Sequence, residues 1–451
     1  MHVVLDPADT RTLPVQLAHA IRDQISARIL SPGEALPSTR QLAAELGISR
    51  GSVVSAYDQL LAEGYLEATV GSGTHVSRRL NHNPVPPAPE PAVHKPARAL
   101  VELTPGAPDT AGIITPEWRS AWRRAASTPL SDAPASGLPA LRHEVAAHLG
   151  TMRGLAVDPA RILITSGARE GLALLLRALA PALGGALTVG VESPGYPSLR
   201  RIPSAFGHAV AEIPTDSEGV RVPATPLDAL IVTPSHQYPY GESLSAARRT
   251  ELVAWARRTD ALLIEDDFDS ELRYAGQPLP ALTALEPART ALLGTFSSVI
   301  SPGVACGYLV APSSLVPRLR AERELTGQPV SLITQSALAS YLASGALRRH
   351  TGSVRRAYRR RRDLVDSYLG DLPGTQLLPI RGGLHAVLLC EKPTDEVVAA
   401  AGRLGVGLTA LAEYWGGEDA PGGVVLGFGH LADSELEAAL RVVATAARLK
   451  R

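Results

Sequence analysis

The chain is predicted to be multidomain: an N-terminal winged helix-turn-helix, a proline-rich connection, and an α/β body that ends in a small α+β domain. Three observations predict this. The 451 residues exceed what one compact core accommodates. Residues 1–77 read as three short helices and a hairpin, whereas from about Glu102 onward short apolar runs alternate with helical patterns. Between them, residues 78–101, RRLNHNPVPPAPEPAVHKPARALV, are rich in proline and poor in apolar residues, the composition of a semi-extended tether.

In the N-terminal module Leu17, Ile21, Ile25 and Ile29 recur every four residues, one stripe of an amphipathic first helix, and Pro32-Gly33 stops it. Ser38 or Thr39 caps a second helix carrying Leu42, Ala43 and Leu46, and Gly47 ends it in the left-handed conformation glycine tolerates. Ser49 caps a third helix with Val53, Val54, Tyr57, Leu60 and Leu61 inward, closed by Gly64. Tyr65 to Thr69 and Thr74 to Ser77 then read as two strands around Val70-Gly71-Ser72-Gly73. A short turn between helices two and three, followed by a hairpin, is the pattern of a winged helix.

In the body the apolar runs Ile162-Leu163-Ile164, Ala186-Leu187-Thr188-Val189, Leu230-Ile231-Val232, Leu262-Leu263-Ile264 and Thr290-Ala291-Leu292-Leu293 are separated by helical patterns at 170–183 and 246–258. That alternation predicts a mostly parallel sheet covered on both faces, with a site in the loops after the strands. The run RRAYRRRRDLV from Arg355 is read as the exposed face of a helix leading into the small domain rather than as a nucleic-acid patch.

Composition removes several classes. Apolar content of 45% with 20% charged is ordinary for a globular protein, and no long uncharged apolar run offers a membrane span. The start, MHVVLDPADT, lacks the basic and apolar regions of a signal peptide, and Cys306 and Cys390 give neither a disulfide framework nor a metal spacing. A cytoplasmic protein without a metal or a membrane partner is expected. Formal net charge is zero, and lysine occurs only at Lys95, Lys392 and Lys450.

The tract LPSTRQLAAELGISRGSVVSAYDQLLAEGYL from Leu36 resembles the GntR-type DNA-binding domain, over about residues 13–76. The resemblance implies that Arg40 grips a phosphate, that Ser49, Arg50 and Ser52 open the recognition helix with Arg50 as base reader, and that the wing, Gly73 to His75, reaches the minor groove. The alternative is a protein-interaction module. Within residues 1–77, Arg11, Arg22, Arg28, Arg40 and Arg50 stand against Asp6, Asp9, Asp23, Glu34, Glu45, Asp58, Glu63 and Glu67, so the head is net acidic, with Arg78 and Arg79 just beyond it. Phosphate neutralisation then supplies little non-specific affinity, and binding to double-stranded DNA requires two heads on two half-sites, hence a homodimer.

The body motifs TSGAREGL from Thr165, ESPGYPSLRR from Glu192, TPSHQYPYG from Thr233, IEDDFDSELRY from Ile264 and GTFSSVISPGVACGYLVAP from Gly294 follow the order seen in class I/II aminotransferases, enzymes of pyridoxal phosphate. With the head, nearly the whole chain resembles the MocR/GabR family of regulators. That implies a fold-type-I aminotransferase-like body, a head-to-tail homodimer and, residue by residue, a cofactor pocket. Ser166, Gly167 and Ala168 would open a phosphate-binding helix, Tyr196 stack on the ring, Gln237 donate to its phenolic oxygen, Asp266 pair with the pyridine nitrogen, and Thr295 and Ser297 donate to phosphate.

Other positions depart from the pattern. The anchoring lysine falls at Ser298, whose hydroxyl cannot make the carbon–nitrogen bond that an amine makes with an aldehyde. The phosphate-gripping arginine falls at Ala305, a tyrosine hydroxyl at Phe268 and a small threonine at Tyr240, where the ring crowds the pocket. The tract VLGFGHL from Val425 brings no arginine for a substrate carboxylate. A catalytically inactive body without covalent pyridoxal phosphate is expected. Three readings stay open: a pocket adapted to another small effector, a body that only dimerises the heads, and pyridoxal phosphate held without a covalent bond. Glu265, Asp266, Asp267 and Asp269 are equally readable as a solvated acidic strand end.

Overall fold

The computed structural model describes residues 3, 5–6, 9–69, 73–80, 100–127, 131–274, 279–416 and 420–448. They fall into two compact units, Met1–Lys95 and Pro96–Arg451. The expected wing tip at 70–72, the centre of the proline-rich stretch at 81–99, and Lys95 and Lys450 lie outside the described residues.

The first unit consists of α1 (Leu13–Ser26), α2 (Thr39–Leu46), α3 (Arg50–Ala62) and an antiparallel hairpin, β1 (Leu66–Thr69) with β2 (Gly73–Val76). The caps are those the side chains predict: Ser38 accepts the Gln41 N–H, Ser49 accepts the Ser52 N–H, and Gly47 ends α2 at φ 64°. Leu17, Ile21 and Ile25 of α1 meet Val53, Ala56, Tyr57 and Leu60 of α3 over Leu66 and Val76. The Tyr57 hydroxyl closes this core by donating to Pro37 O at 2.9 Å, and Arg22 of α1 pairs with Glu63 after α3 at 2.7 Å.

Two expectations here are corrected. Ile29 is 65% exposed, because α1 ends at Ser26, Arg28 turns left-handed at φ 58°, and the N–H groups of Ile29 and Leu30 fold back onto Gln24 O. Leu30 fills the core place that the four-residue spacing assigns to Ile29. Val54, expected inward, is exposed, and it follows Arg50 by one helical turn on α3.

The second unit begins with β3 (Val101–Glu102), α4 (Pro116–Ala126) and α5 (Pro139–Arg153). Its large sheet contains β4 (Ile162–Thr165), β5 (Thr188–Ser193), β6 (Ala209–Asp216), β7 (Gly219–Val220), β8 (Ala229–Val232), β9 (Leu262–Asp267), β10 (Thr290–Thr295) and β11 (Gly307–Val310). Among the described residues the order is β4-β11-β10-β9-β8-β5-β6-β7; β11 and β7 run antiparallel to their neighbours and the other strands are parallel. The expected mostly parallel sheet is therefore present. The run predicted at 186–189 becomes a strand only from Thr188.

Strand alternation sorts the side chains onto two faces. Leu163, Val191, Ile231, Ile264 and Leu293 share a core with α6 (Ala168–Leu179), α7 (Pro197–Ala205) and α10 (Val316–Thr326). Leu230, Val232 and Leu263 turn the other way, onto α8 (Ala246–Thr259). Beyond the sheet, α11 (Leu332–Ala343) packs on α4 and α5, and α12 (Ala346–Leu369) leads to an antiparallel sheet of β12 (Thr375–Leu377), β13 (His385–Cys390), β15 (Thr409–Ala410) and β16 (Gly423–Gly427), backed by α13 (Thr394–Arg403) and α14 (Asp433–Ala447). A short strand β14 (Val406–Gly407) pairs in parallel with β3. The arginine run from Arg355 is helical in α12, as expected, but not wholly a surface face. Arg361 is buried and bonds Asp109 at 2.9 Å and Asp433 at 3.0 Å.

Candidate functional site

In the head unit the starts of α2 and α3 are brought together by Arg50, whose Nε reaches Thr39 Oγ1 at 3.4 Å. Arg40, Ser49 and Arg50 are exposed there, and Ser49 Oγ lies 2.8 Å from Ser52 Oγ. Gly73 and His75 sit on β2, opposite Thr69 and Glu67, and a bridge between Ala35 and His75 ties this strand to the connection before α2. Val54, whose spacing predicts an inward place, instead adds an exposed apolar side chain one turn beyond Arg50.

The body site follows from the face alternation. Asp266 is two residues after Ile264 and pairs in register with Leu293, both on the α6 side, so its carboxyl points to that side. Thr295 follows Leu293 by two and takes the same side, and Thr233 follows Ile231 likewise. The N-terminus of α6 arrives at the same edge. A Cβ on Gly307 of β11 would lie 2.9 Å from Gly167 Cα, so only glycine lets the turn before α6 press onto the sheet. Ala168 and Tyr196 pack against the core beneath them.

At this edge the α6 terminus is open. Gly167 offers no capping side chain, and the first internal bond is Gly171 N–H to Gly167 O, so the N–H groups of Ala168, Arg169 and Glu170 have no intrahelical acceptor. The N–H of Ser166 is already given to Glu170 Oε2 at 3.1 Å, so of the three positions expected to open a phosphate-binding helix this one keeps no open amide. Thr295 Oγ1 accepts the Ser297 N–H at 3.1 Å and keeps its own hydrogen. Arg169 is exposed and donates from Nη2 to the Tyr196 hydroxyl at 3.2 Å.

Four acidic groups follow one another at the end of β9, and none is solvated. Glu265, Asp266, Asp267 and Asp269 are each at most 9% exposed. Asp267 bonds Arg153 at 2.5 Å, Glu265 lies 3.5 Å from the same guanidinium and takes the Leu282 N–H, and Asp269 bonds His236 Nδ1 at 2.6 Å. Glu265 Oε1 also lacks a hydrogen bond but faces Arg153, whereas Asp266, 3% exposed, has neither a hydrogen-bond partner for its Oδ1 nor a paired cation among the described residues. Burial, then its acidic neighbours, push its carboxyl well above the usual carboxylate range.

Gln237 departs from its expected role. Its side-chain amide donates to Pro194 O at 2.8 Å and to Tyr238 O at 2.7 Å, so both N–H bonds are used in holding two loops and none is left for a ligand oxygen. Ser298 Oγ bonds Phe268 O, which places position 298 beside the end of β9. Tyr196, Tyr240 and Phe268 rim a cluster formed by Tyr238, Tyr414, Leu411, Val387 and Val425. Tyr196 meets Tyr238 edge-on at 5.2 Å, and Tyr240 meets Trp415 edge-on at 5.6 Å. One side of this cluster belongs to the large sheet's loops and the other to β13 and β16. Of the lysines, Lys392 binds Ala446 O within the small domain.

Glu192 lies behind Tyr196 and takes the Thr233 N–H at 2.9 Å and the Thr233 hydroxyl. Burial pushes its carboxyl from the usual 4.5 up to about 7, against the pull of Thr233. The folded chain therefore holds this proton more tightly than the unfolded chain, and stability falls as pH rises from about 4.5 to about 7. Glu192→Gln should remove that slope, with a gain on the order of 3 kcal/mol above pH 7 relative to the native chain. Melting curves at pH 5 and pH 8 check it; equal pH slopes for both proteins refute it.

Residues 13–76 match the family model for bacterial regulatory proteins of the gntR family, and residues 98–413 match that for aminotransferase class I and II. The chain is 54% identical to the HTH-type pyridoxine biosynthesis transcriptional regulator PdxR of Corynebacterium glutamicum, over 99% of this chain and 98% of that protein. It is 30% identical to the probable rhizopine catabolism regulatory protein MocR of Rhizobium meliloti, over 80% and 77% of the two chains. Among solved structures, an archaeal alanine:glyoxylate aminotransferase superposes with a TM-score of 0.71 at 23% identity, covering 77% of this chain and 90% of that one, a likeness of fold.

Proposed function

The chain belongs to the gntR-family regulators that carry an aminotransferase class I and II body, and on that premise we propose that it regulates pyridoxine-biosynthesis genes by binding their DNA while its body senses a small ligand held without a covalent bond. The observation that carries the ligand reading is the buried, unpartnered Asp266 Oδ1 beside an open helix N-terminus. A carboxyl so placed suits a ring N–H, and the free amides of Ala168, Arg169 and Glu170 with the Thr295 hydroxyl suit an anionic substituent. Those groups fit pyridoxal phosphate or a related phosphorylated N-heterocycle. Position 298 does not fit a covalent anchor, so when bound such a molecule supplies a charged, hydrogen-bonding ring and no transamination.

Non-covalent holding gives the site its use. A ligand that dissociates occupies the body in proportion to its concentration, whereas an anchored one does not report concentration. Tyr196 and Phe268 touch both the cup and the aromatic cluster shared with β13 and β16, so occupancy favours one position of the small domain. In a homodimer that shift changes how two heads meet two half-sites, and operator affinity follows.

In the head, Arg50 reads a base in the major groove, Val54 adds an apolar contact on the same helical face, Arg40 grips phosphate, and Ser49, Ser52, Gly73 and His75 complete the contact. Fluorescence anisotropy on pyridoxine-biosynthesis promoter DNA tests the whole. Specific binding should change when pyridoxal phosphate is added, and Arg50→Ala should weaken it roughly 10–100-fold, a loss of about 1–3 kcal/mol of base discrimination. Equal affinity for promoter and scrambled DNA rejects the regulator of these genes, and promoter binding indifferent to the ligand rejects the sensor.

A further inference from the structure

Among the described residues, three arginines around the body cup are committed to carboxylates, and Arg169 is not one of them. Arg153 serves the acids on the far face of β9, Arg323 pairs with Glu170 at 2.8 Å, and Arg200 pairs with Glu212 at 2.7 Å. Arg169 stands on the first turn of α6 and pairs with no carboxylate among the described residues. Its one side-chain bond is to the Tyr196 hydroxyl, which spends Nη2 and leaves further guanidinium N–H groups to donate. The same first turn presents the open amides of Ala168, Arg169 and Glu170, and Glu170 is itself neutralised by Arg323. Thr295 Oγ1, close to Gly167, completes a set of donors on one side of the cup.

We propose that Arg169 is the anion clamp of this pocket, holding the phosphate of a phosphorylated N-heterocycle whose ring lies against Tyr196 and whose N–H meets Asp266. This rests on the ligand reading given above and names the residue that replaces the charge absent at Ala305. The buried Asp266 sets the opposite pole, because an acid left without a partner at 3% exposure and pointing to the α6 side is matched by a donor on the ligand. The two poles are an anion holder and an acid, with an aromatic plane between them. That order selects a ring with a phosphate on one side and a nitrogen on the other. The bond to Tyr196 also makes Arg169 a positioning residue. It fixes the tyrosine that contacts the ring, so the anion and the plane are set by one side chain.

The test uses full-length native protein and Arg169→Ala, with pyridoxal phosphate, pyridoxal and inorganic phosphate as probes and tryptophan and tyrosine fluorescence as the readout. The native chain should bind pyridoxal phosphate more tightly than pyridoxal, with inorganic phosphate competing. Arg169→Ala should weaken pyridoxal phosphate roughly 10–100-fold, the range for a lost charge-assisted bond, and weaken pyridoxal, which loses only the fixed Tyr196 plane, by a much smaller factor. Arg169→Lys should recover part of the loss, since the charge returns without the planar fork. Arg169 is exposed, so an unchanged melting temperature shows that folding is not the cause. Equal pyridoxal phosphate affinity in the native chain and Arg169→Ala overturns the clamp and leaves the pocket standing. Failure of the native chain to bind pyridoxal phosphate at all removes the pocket reading and the clamp with it.

Discussion

Arg153→Leu is expected to destabilise the body by about 3–5 kcal/mol, the cost of leaving buried charge without its partner. Arg153 is 6% exposed, bonds Asp267 at 2.5 Å and lies 3.5 Å from Glu265, and both acids are buried. Leucine fills part of the volume but answers neither carboxylate. A thermal melt should show the body transition falling by about 4–7 °C. Two further measurements identify the cause. The deficit should shrink at pH 5, where Glu265, which burial pushes up to about 7, carries a proton, and adding Glu265→Gln with Asp267→Asn to Arg153→Leu should restore most of the stability. A deficit that is the same at pH 5 and pH 8 and survives the neutral pair would assign Arg153 a packing role instead.

Ser298→Lys is expected to convert a ligand that washes out into one that stays. The Ser298 side chain bonds Phe268 O, two residues after Asp266, so a lysine here rises beside the ring position that Asp266 defines. With an amine in place, pyridoxal phosphate should be retained after exhaustive dialysis at close to one equivalent per chain, against almost none for the native protein. Retained ligand after denaturation, with and without prior borohydride reduction, is the measurement. The same protein should be locked in its ligand-bound response on promoter DNA, insensitive to added ligand. If Ser298→Lys retains no more than the native chain, position 298 does not face the ring.

The fold is legible in the sequence to different depths in different places. The head follows from local rules, since Ser38, Ser49 and Gly47 are cap residues whose bonds form within a few positions. Where those rules compete with chain reversal they fail: Ile29 keeps the helical spacing but lies past a left-handed Arg28, and the core takes Leu30. In the body the five apolar runs mark five of the eight described strands of the large sheet because each is buried on both faces, with the largest slip in a start at Ala186, two residues before β5. The site is harder to read. Residue type puts Asp266 and Ser298 in the same neighbourhood, but nothing in a run of four acids says which is answered by Arg153, which by His236 and which by nothing. That information lies in strand parity and in side chains distant along the chain, Arg153 more than a hundred positions away. Gln237 illustrates the same limit: its amide is consumed by two nearby loop carbonyls, a matter of loop geometry that spacing does not express.

The parity of β9 has an evolutionary consequence. Its odd positions, Glu265 and Asp267, meet Arg153 on one face, and its even position, Asp266, opens onto the other. On the proposed ligand reading, structural integrity and ligand recognition are thus segregated by the thickness of a single sheet. Substitutions on the Asp266 face should then leave the opposing charge network intact, so the proposed effector could be exchanged for another at little cost to the stability of the body.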